Sequence, residues 1–202
     1  MDGARLGLTQ RQRALLVQVQ ARHGRRKADV LLVEGVRCCA EALRRRPDWF
    51  LFGVFSRSFG ATSPAHELAA LVRPETGPGA FVAVDDREFS DLADTPTPQG
   101  VLCIMRRPDL RPRDVLRDPF ALVLDRVQEP GNLGTILRTA WAVGLTEVWL
   151  TKGCADPYGP KVVRAGMGAQ FALTLMAGED LAAVREQLAV RGRSPLHLAV
   201  PR

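Results

Sequence analysis

Asn132, Gly134 and Arg138 fall within "VLDRVQEPGNLGTILRTAWAVG" (residues 123–144), where a strand-like apolar run meets turn-forming residues and then a helix-like stretch. Gly131 and Gly134 permit close backbone approach. Asn132 is a residue type that caps helices, and free N–H groups beyond a cap favour an anion. Arg138 follows one to two turns later with a planar guanidinium suited to phosphate. From these residues alone two readings stand: a phosphate-holding loop and helix, or a capped helix whose arginine is solvated. The three glycines of a dinucleotide fingerprint are missing, and no Gly-Lys-Ser/Thr follows as a Walker loop requires.

A second cluster, "LTKGCADPYGPKVVRAGMGAQF" (residues 150–171), is a Pro- and Gly-rich loop leading into a stretch with Lys161 and Arg164 at neighbouring helical positions. Ala165, Gly166, Gly168 and Ala169 are small, which implies close packing against another backbone. It reads as a tight helix-sheet contact or as a second phosphate-holding element beside the first.

Other chemistries lack their residues. Cys38 and Cys39 are adjacent while Cys103 and Cys154 are isolated, so no CxxC or Cys/His ligand pair forms, and all four are expected to be reduced and structural. His23, His66 and His197 are scattered, without a nucleophile and base in sequence proximity. No metal site is expected. No apolar run approaches a membrane span, and Arg and Gln interrupt the first twenty residues, so no membrane partner and a cytoplasmic location are expected.

Charge points to a polyanion. The net charge of +6 lies entirely in residues 1–50, which hold eleven Arg and Lys against five Asp and Glu. Arg25, Arg26 and Lys27, with the run Arg44, Arg45 and Arg46, suit either solvated helix ends or nucleic-acid backbone contacts, and together they favour the latter.

Periodicity supplies the elements that must position these residues. Helices are predicted over 10–22, 36–46 and 64–73, and strands at "VLLVEG", "LFGVF", "AFVAVD" and "GVLCIM", giving a small α/β unit over residues 1–105. The Pro-rich, charged residues 106–118 form a linker. Residues 119–202 alternate strands ("ALVLD", "EVWL", "ALTLM", "LHLAV") with helices near 133–143, 161–170 and 180–190, which predicts a parallel sheet with its ligands at the carboxyl ends of the strands.

"EPGNLGTILRTA" resembles the first motif of the SpoU/TrmH family of RNA ribose methyltransferases, within the SPOUT superfamily, and "GPKVVRAGMGAQF" is similar to the segment that follows it. "LLVEG" and "TPQGVLCIM" resemble that family's substrate-recognition domain, a fold like that of a small ribosomal RNA-binding protein. The resemblance implies methyl transfer from S-adenosylmethionine to a ribose 2′-hydroxyl of rRNA or tRNA. It implies that Asn132 and Arg138 are catalytic, with Arg138 acting at the hydroxyl, and that Lys161, Arg164, Arg25, Arg26 and Lys27 bind RNA. The family's Gly-Asn-Glu-Gly loop and Ser-Leu-Asn segment are not in these 202 residues. A SPOUT-like domain truncated before its knot is therefore expected, with an incomplete cofactor pocket and without the helix that forms the family's homodimer. A non-catalytic RNA-binding protein derived from the family is the alternative.

Overall fold

Alternating apolar residues build two sheets, which the computed structural model describes over residues 5–20, 29–72, 81–111, 121–190 and 192. The first contains β1 (Arg5–Leu6), β2 (Val30–Glu34), β3 (Phe50–Ser56), β4 (Phe81–Val84) and β5 (Val101–Arg106) in the order β1-β4-β3-β5-β2. β4 runs parallel to β1 and β3, whereas β5 runs antiparallel to both β3 and β2. Period-two side chains divide this sheet cleanly. Val30, Leu32, Leu102 and Ile104 face α1 (Gln10–Gln20) and α5 (Asp86–Leu92). Leu31, Val33, Cys103 and Met105 face α2 (Val36–Arg45) and α4 (Ser63–Ala70).

Four short elements of this unit escape the periodicity: β1, a 3-10 turn over Pro47–Trp49, α3 (Arg57–Gly60) and α5. The signal for α5 was present as Asp85 three residues before Glu88. The Asp85 carboxylate accepts the Glu88 N–H at 2.8 Å and caps the helix.

The second sheet, β6 (Leu122–Leu124), β7 (Glu147–Thr151) and β8 (Thr174–Glu179), is wholly parallel, as the alternation of strands and helices predicts. α8 (Leu181–Val190) covers one face through Val184 and Leu188 on Trp149 and Met176. On the other face, Val148 and Leu150 meet Leu133 and Leu137 of α6 (Pro130–Ala142) and Val162 and Val163 of α7 (Pro160–Gly166). The helix predicted over 161–170 stops at Gly166 because Met167 (φ 52°) and Gly168 (φ 83°) are left-handed; a 3-10 turn, Ala169–Phe171, follows. The strand predicted at 196–200 lies outside the described residues, as do Arg25, Arg26 and Lys27.

One apolar cluster runs through both units, from Leu31 and Cys39 to Leu133 and Phe171. Trp49 meets Tyr158 and Phe171 edge-on, with ring centroids 6.1 and 6.3 Å away. The described part of the predicted linker is residues 106–111; Arg106 belongs to β5 instead, and the rest is held at two points: Arg107 N donates to Asp29 O at 2.7 Å, and Leu110 O accepts from Ala177 N at 2.9 Å.

Gly134 sets the distance between the two motifs. A Cβ there would lie 2.6 Å from both Ala165 Cβ and the Val162 carbonyl oxygen, so only glycine lets α6 lie this close to α7. In an exposed helix Gly→Ala stabilises by about 1 kcal/mol. Here overpacking outweighs that gain, and Gly134→Ala is expected to cost about 1–3 kcal/mol, read as a lower urea midpoint at unchanged slope. A midpoint that stays or rises would mean that α6 and α7 do not approach as described.

Candidate functional site

The carboxyl ends of β6 and β7 meet at Asp125 and Thr151. The Thr151 hydroxyl donates to Asp125 Oδ1 at 2.6 Å and accepts the Arg126 N–H at 3.1 Å. This bond is the main cause holding the Asp125 carboxyl below its ordinary range. Arg126 sits at φ 51°, a conformation unusual for a residue with a Cβ, and its side chain lies over Gly153. The loops beyond are joined: Val127 N donates to Cys154 Sγ, Cys154 Sγ donates to Leu124 O, and Ala155 N donates to Val127 O at 2.8 Å.

α6 starts differently from the sequence expectation. Its cap is Glu129, whose carboxylate accepts the Gly131 N–H at 3.4 Å, and Pro130 occupies the first turn without an N–H to offer. Asn132 lies inside the helix and is exposed. The acidic cap places negative charge where the sequence suggested an anion would bind, which disfavours a phosphate at this terminus.

Arg138 is exposed, and among the described residues no hydrogen bond or ion pair engages it. The hydroxyls beside it are occupied within the helix, Thr135 on Gly131 O and Thr139 on Thr135 O. Its donors are thus open to a ligand. Asn132 and Arg138 are separated by about 9 Å along the axis and about 120° around it, so the helix does not aim them at one point.

In the second motif Lys161 is exposed on the first turn of α7. Arg164 instead reaches the first unit, with both terminal nitrogens 3.0 Å from Asp94 Oδ2. A second cross-unit pair is bidentate: Arg107 holds Asp156 at 2.7 and 3.0 Å, and Asp156 Oδ1 also accepts the Tyr158 N–H. That clamp fixes the loop between β7 and α7. Burial pushes the Cys38 thiol up to about 11, opposed by the nearby Arg164 and Arg37, so it is no nucleophile at neutral pH.

Sequence reading missed Asp125, Thr151, Asp94, Arg107 and Asp156. Asp125 ends a predicted strand and could have been singled out on that ground; the others take their meaning from partners 26 to 70 residues away.

At these strand ends Asp125 is bonded to Thr151 and Val127 to Cys154, and a cavity of about 250 Å³ among the described residues lies between the two units.

Together these features define an α/β protein whose parallel sheet carries a Pro-Gly-Asn helix start at its strand ends, preceded by a mixed-sheet unit. Residues 119–199 match the SpoU rRNA Methylase family. The chain is 31% identical over 188 residues to an uncharacterized tRNA/rRNA methyltransferase of Synechocystis sp., covering 92% of this chain and 67% of that protein. It is 34% identical over 171 residues to the mitochondrial rRNA methyltransferase 3 of Homo sapiens, covering 81% of this chain. An AdoMet-bound rRNA methyltransferase from Sinorhizobium meliloti superposes with a TM-score of 0.73 at 26% identity, covering 92% of this chain and 69% of that one. This chain belongs to the SpoU rRNA methylase family. It spans 38% of the length of the human relative.

The Asp125–Thr151 bond gives a direct test. The Asp125 carbon signal is expected to titrate below the ordinary value of about 3.9, and Thr151→Val to move the midpoint upward. A depressed folded pKa contributes stability that is present above the unfolded value and lost as pH falls through the folded one. Thr151→Val therefore flattens the acid limb of the stability profile, whereas an unchanged Asp125 midpoint would remove Thr151 as the cause.

Proposed function

We propose that this chain serves RNA ribose 2′-O-methylation, with S-adenosylmethionine as methyl donor, rRNA or tRNA as acceptor, and the cytoplasm as its location. The observation that carries the reading is Arg138, an exposed guanidinium with no partner among the described residues, on the helix of the family's first motif. Arginine stays protonated, so Arg138 orients the ribose and its phosphate and stabilises charge developing on the 2′-oxygen, rather than removing its proton. Lys161, itself exposed on the first turn of the neighbouring helix, contacts the RNA backbone, and the basic first fifty residues supply further phosphate contacts. Arg164 acts differently, through Asp94, by fixing the first unit against the second.

A second reading, RNA binding without methyl transfer, rests on the same exposed cations, since Arg138 and Lys161 can hold a phosphate backbone without a methyl donor. Two titrations separate the readings. Filter binding to a folded rRNA fragment is expected to weaken steeply with salt under both, and salt-independent binding would contradict both. Calorimetric binding of S-adenosylmethionine supports the enzyme reading; tight RNA binding without it supports the second. Under the enzyme reading, Arg138→Ala lowers transfer to the 2′-hydroxyl roughly a hundred- to a thousand-fold while cofactor affinity is retained. Full activity of that variant would return Arg138 to a solvated surface residue.

A further inference from the structure

The cavity between the units is lined by Glu34, Arg37, Thr95, Thr97, Gln99 and Arg164, with Gly35, Cys38 and Met167 completing its wall. Its polar groups are organised in advance. Glu34 is buried and accepts from Asp94 N at 2.7 Å and from the Thr95 hydroxyl, which fixes the Asp94–Thr95 segment. Asp94 in turn receives Arg164 across the seam. Gln99 Oε1 accepts the Val36 N–H at 2.9 Å, which orients the amide and leaves Nε2 as a donor. Gly35 (φ 94°) allows this approach, since a Cβ there would meet Gln99 Oε1 at 3.0 Å.

Two features are unused by this framework. Arg37 is exposed and has no ion pair or hydrogen bond among the described residues, although its charge is felt at the Cys38 thiol on the same wall. Met167 is held at φ 52°, a strained conformation for a residue with a side chain, at the point where α7 turns away. With Arg164 satisfied by Asp94, and Glu34 by its two donors, the lining keeps one free cation, donors from Thr97 and Gln99, and one soft apolar surface. That set matches a single nucleotide: a monoanionic phosphodiester on Arg37, base edges on the amide and hydroxyl, and the base face on Met167 or a guanidinium. A volume near 250 Å³ falls below the range of about 300–1,000 Å³ that encloses a drug-sized ligand, and suits one unstacked base.

We infer that this cleft binds one unpaired nucleotide of the RNA strand, with Arg37 on its phosphate, so that RNA held by the first unit is gripped again at its junction with the second. The inference deepens the RNA reading above and rests on it. It assigns Arg37, absent from the sequence-derived set of RNA-binding residues, and gives Arg164 the role of building the cleft wall.

The probe is a fluorescein-labelled hairpin RNA whose single-stranded loop carries 4-thiouridine, titrated against the full chain. Arg37→Ala should weaken binding about tenfold and lower the salt slope by about 0.7, the share of one single-strand phosphate. Arg37→Lys should restore part of the affinity. Circular dichroism of both variants should match that of the parent, since Arg37 supports no contact in the fold. In the unmodified protein, photocrosslinks should fall in the tryptic peptides 88–106 or 165–185, which carry Thr95, Thr97, Gln99 and Met167. RNA binding that is indifferent to Arg37→Ala, with crosslinks elsewhere, overturns the inference and leaves the RNA reading standing. No RNA binding by the parent overturns the reading itself. Displacement of the hairpin by adenosine monophosphate would reassign the cleft to free nucleotides.

Discussion

The seam between the two units is the constraint from which the site geometry follows. Its interior is apolar, with Leu31, Val33 and Cys39 of the first unit in the same cluster as Leu133, Val163 and Phe171 of the second. Burial of this kind supplies cohesion but little direction. Direction comes from two arginine-carboxylate pairs, Arg107–Asp156 and Arg164–Asp94, whose side chains are 17 to 29% exposed. Fully exposed pairs contribute about 0–1 kcal/mol; these are better shielded, and the forked geometry of Arg107 on Asp156 fixes orientation as well. Neither arginine is free to serve only as an anchor for RNA.

This arrangement changes how the basic residues divide their work. Several cations of the first fifty residues are already engaged: Arg13 with Glu88, Arg44 and Arg45 with Glu41, and Arg46 over the Trp49 ring. The charge excess is therefore not a uniform RNA-binding surface. Arg37, Arg138 and Lys161 are exposed and unpaired among the described residues, and they lie on α2, α6 and α7, three helices that share the seam's apolar cluster. In the proposed function, one strand of RNA is held at points whose separation the seam fixes, so binding by the first unit becomes placement at the second.

Local signals made most of the fold legible in the sequence. Period-two apolar runs identified every long strand among the described residues, and strand-helix alternation foretold the parallel second sheet. The errors arose where a short-range rule met a longer-range fact. Asn132 looked like a cap, but Pro130 moved the helix start back and Glu129 took that place. The helix expected to run to residue 170 was ended by left-handed Met167 and Gly168, of which the sequence marks only the glycine. Small residues in the second motif announced close packing against another backbone, and Gly134 against Ala165 shows that packing as helix on helix, where the sequence left open a helix-sheet contact or a phosphate-holding element beside the first motif. What could not be read was partnership across the chain: nothing near Arg164 names Asp94, and nothing near Arg107 names Asp156.

Hydrogen exchange of the chain with and without a folded rRNA fragment tests most directly whether the seam makes one RNA site of the two units. If it does, the amides of residues 34–38 and 94–99 in the first unit and of residues 132–140 in α6 gain protection together, with the same dependence on RNA concentration. Protection confined to the first unit, or two sets of amides responding at different RNA concentrations, would show that the units bind independently and would contradict a site organised by their contact.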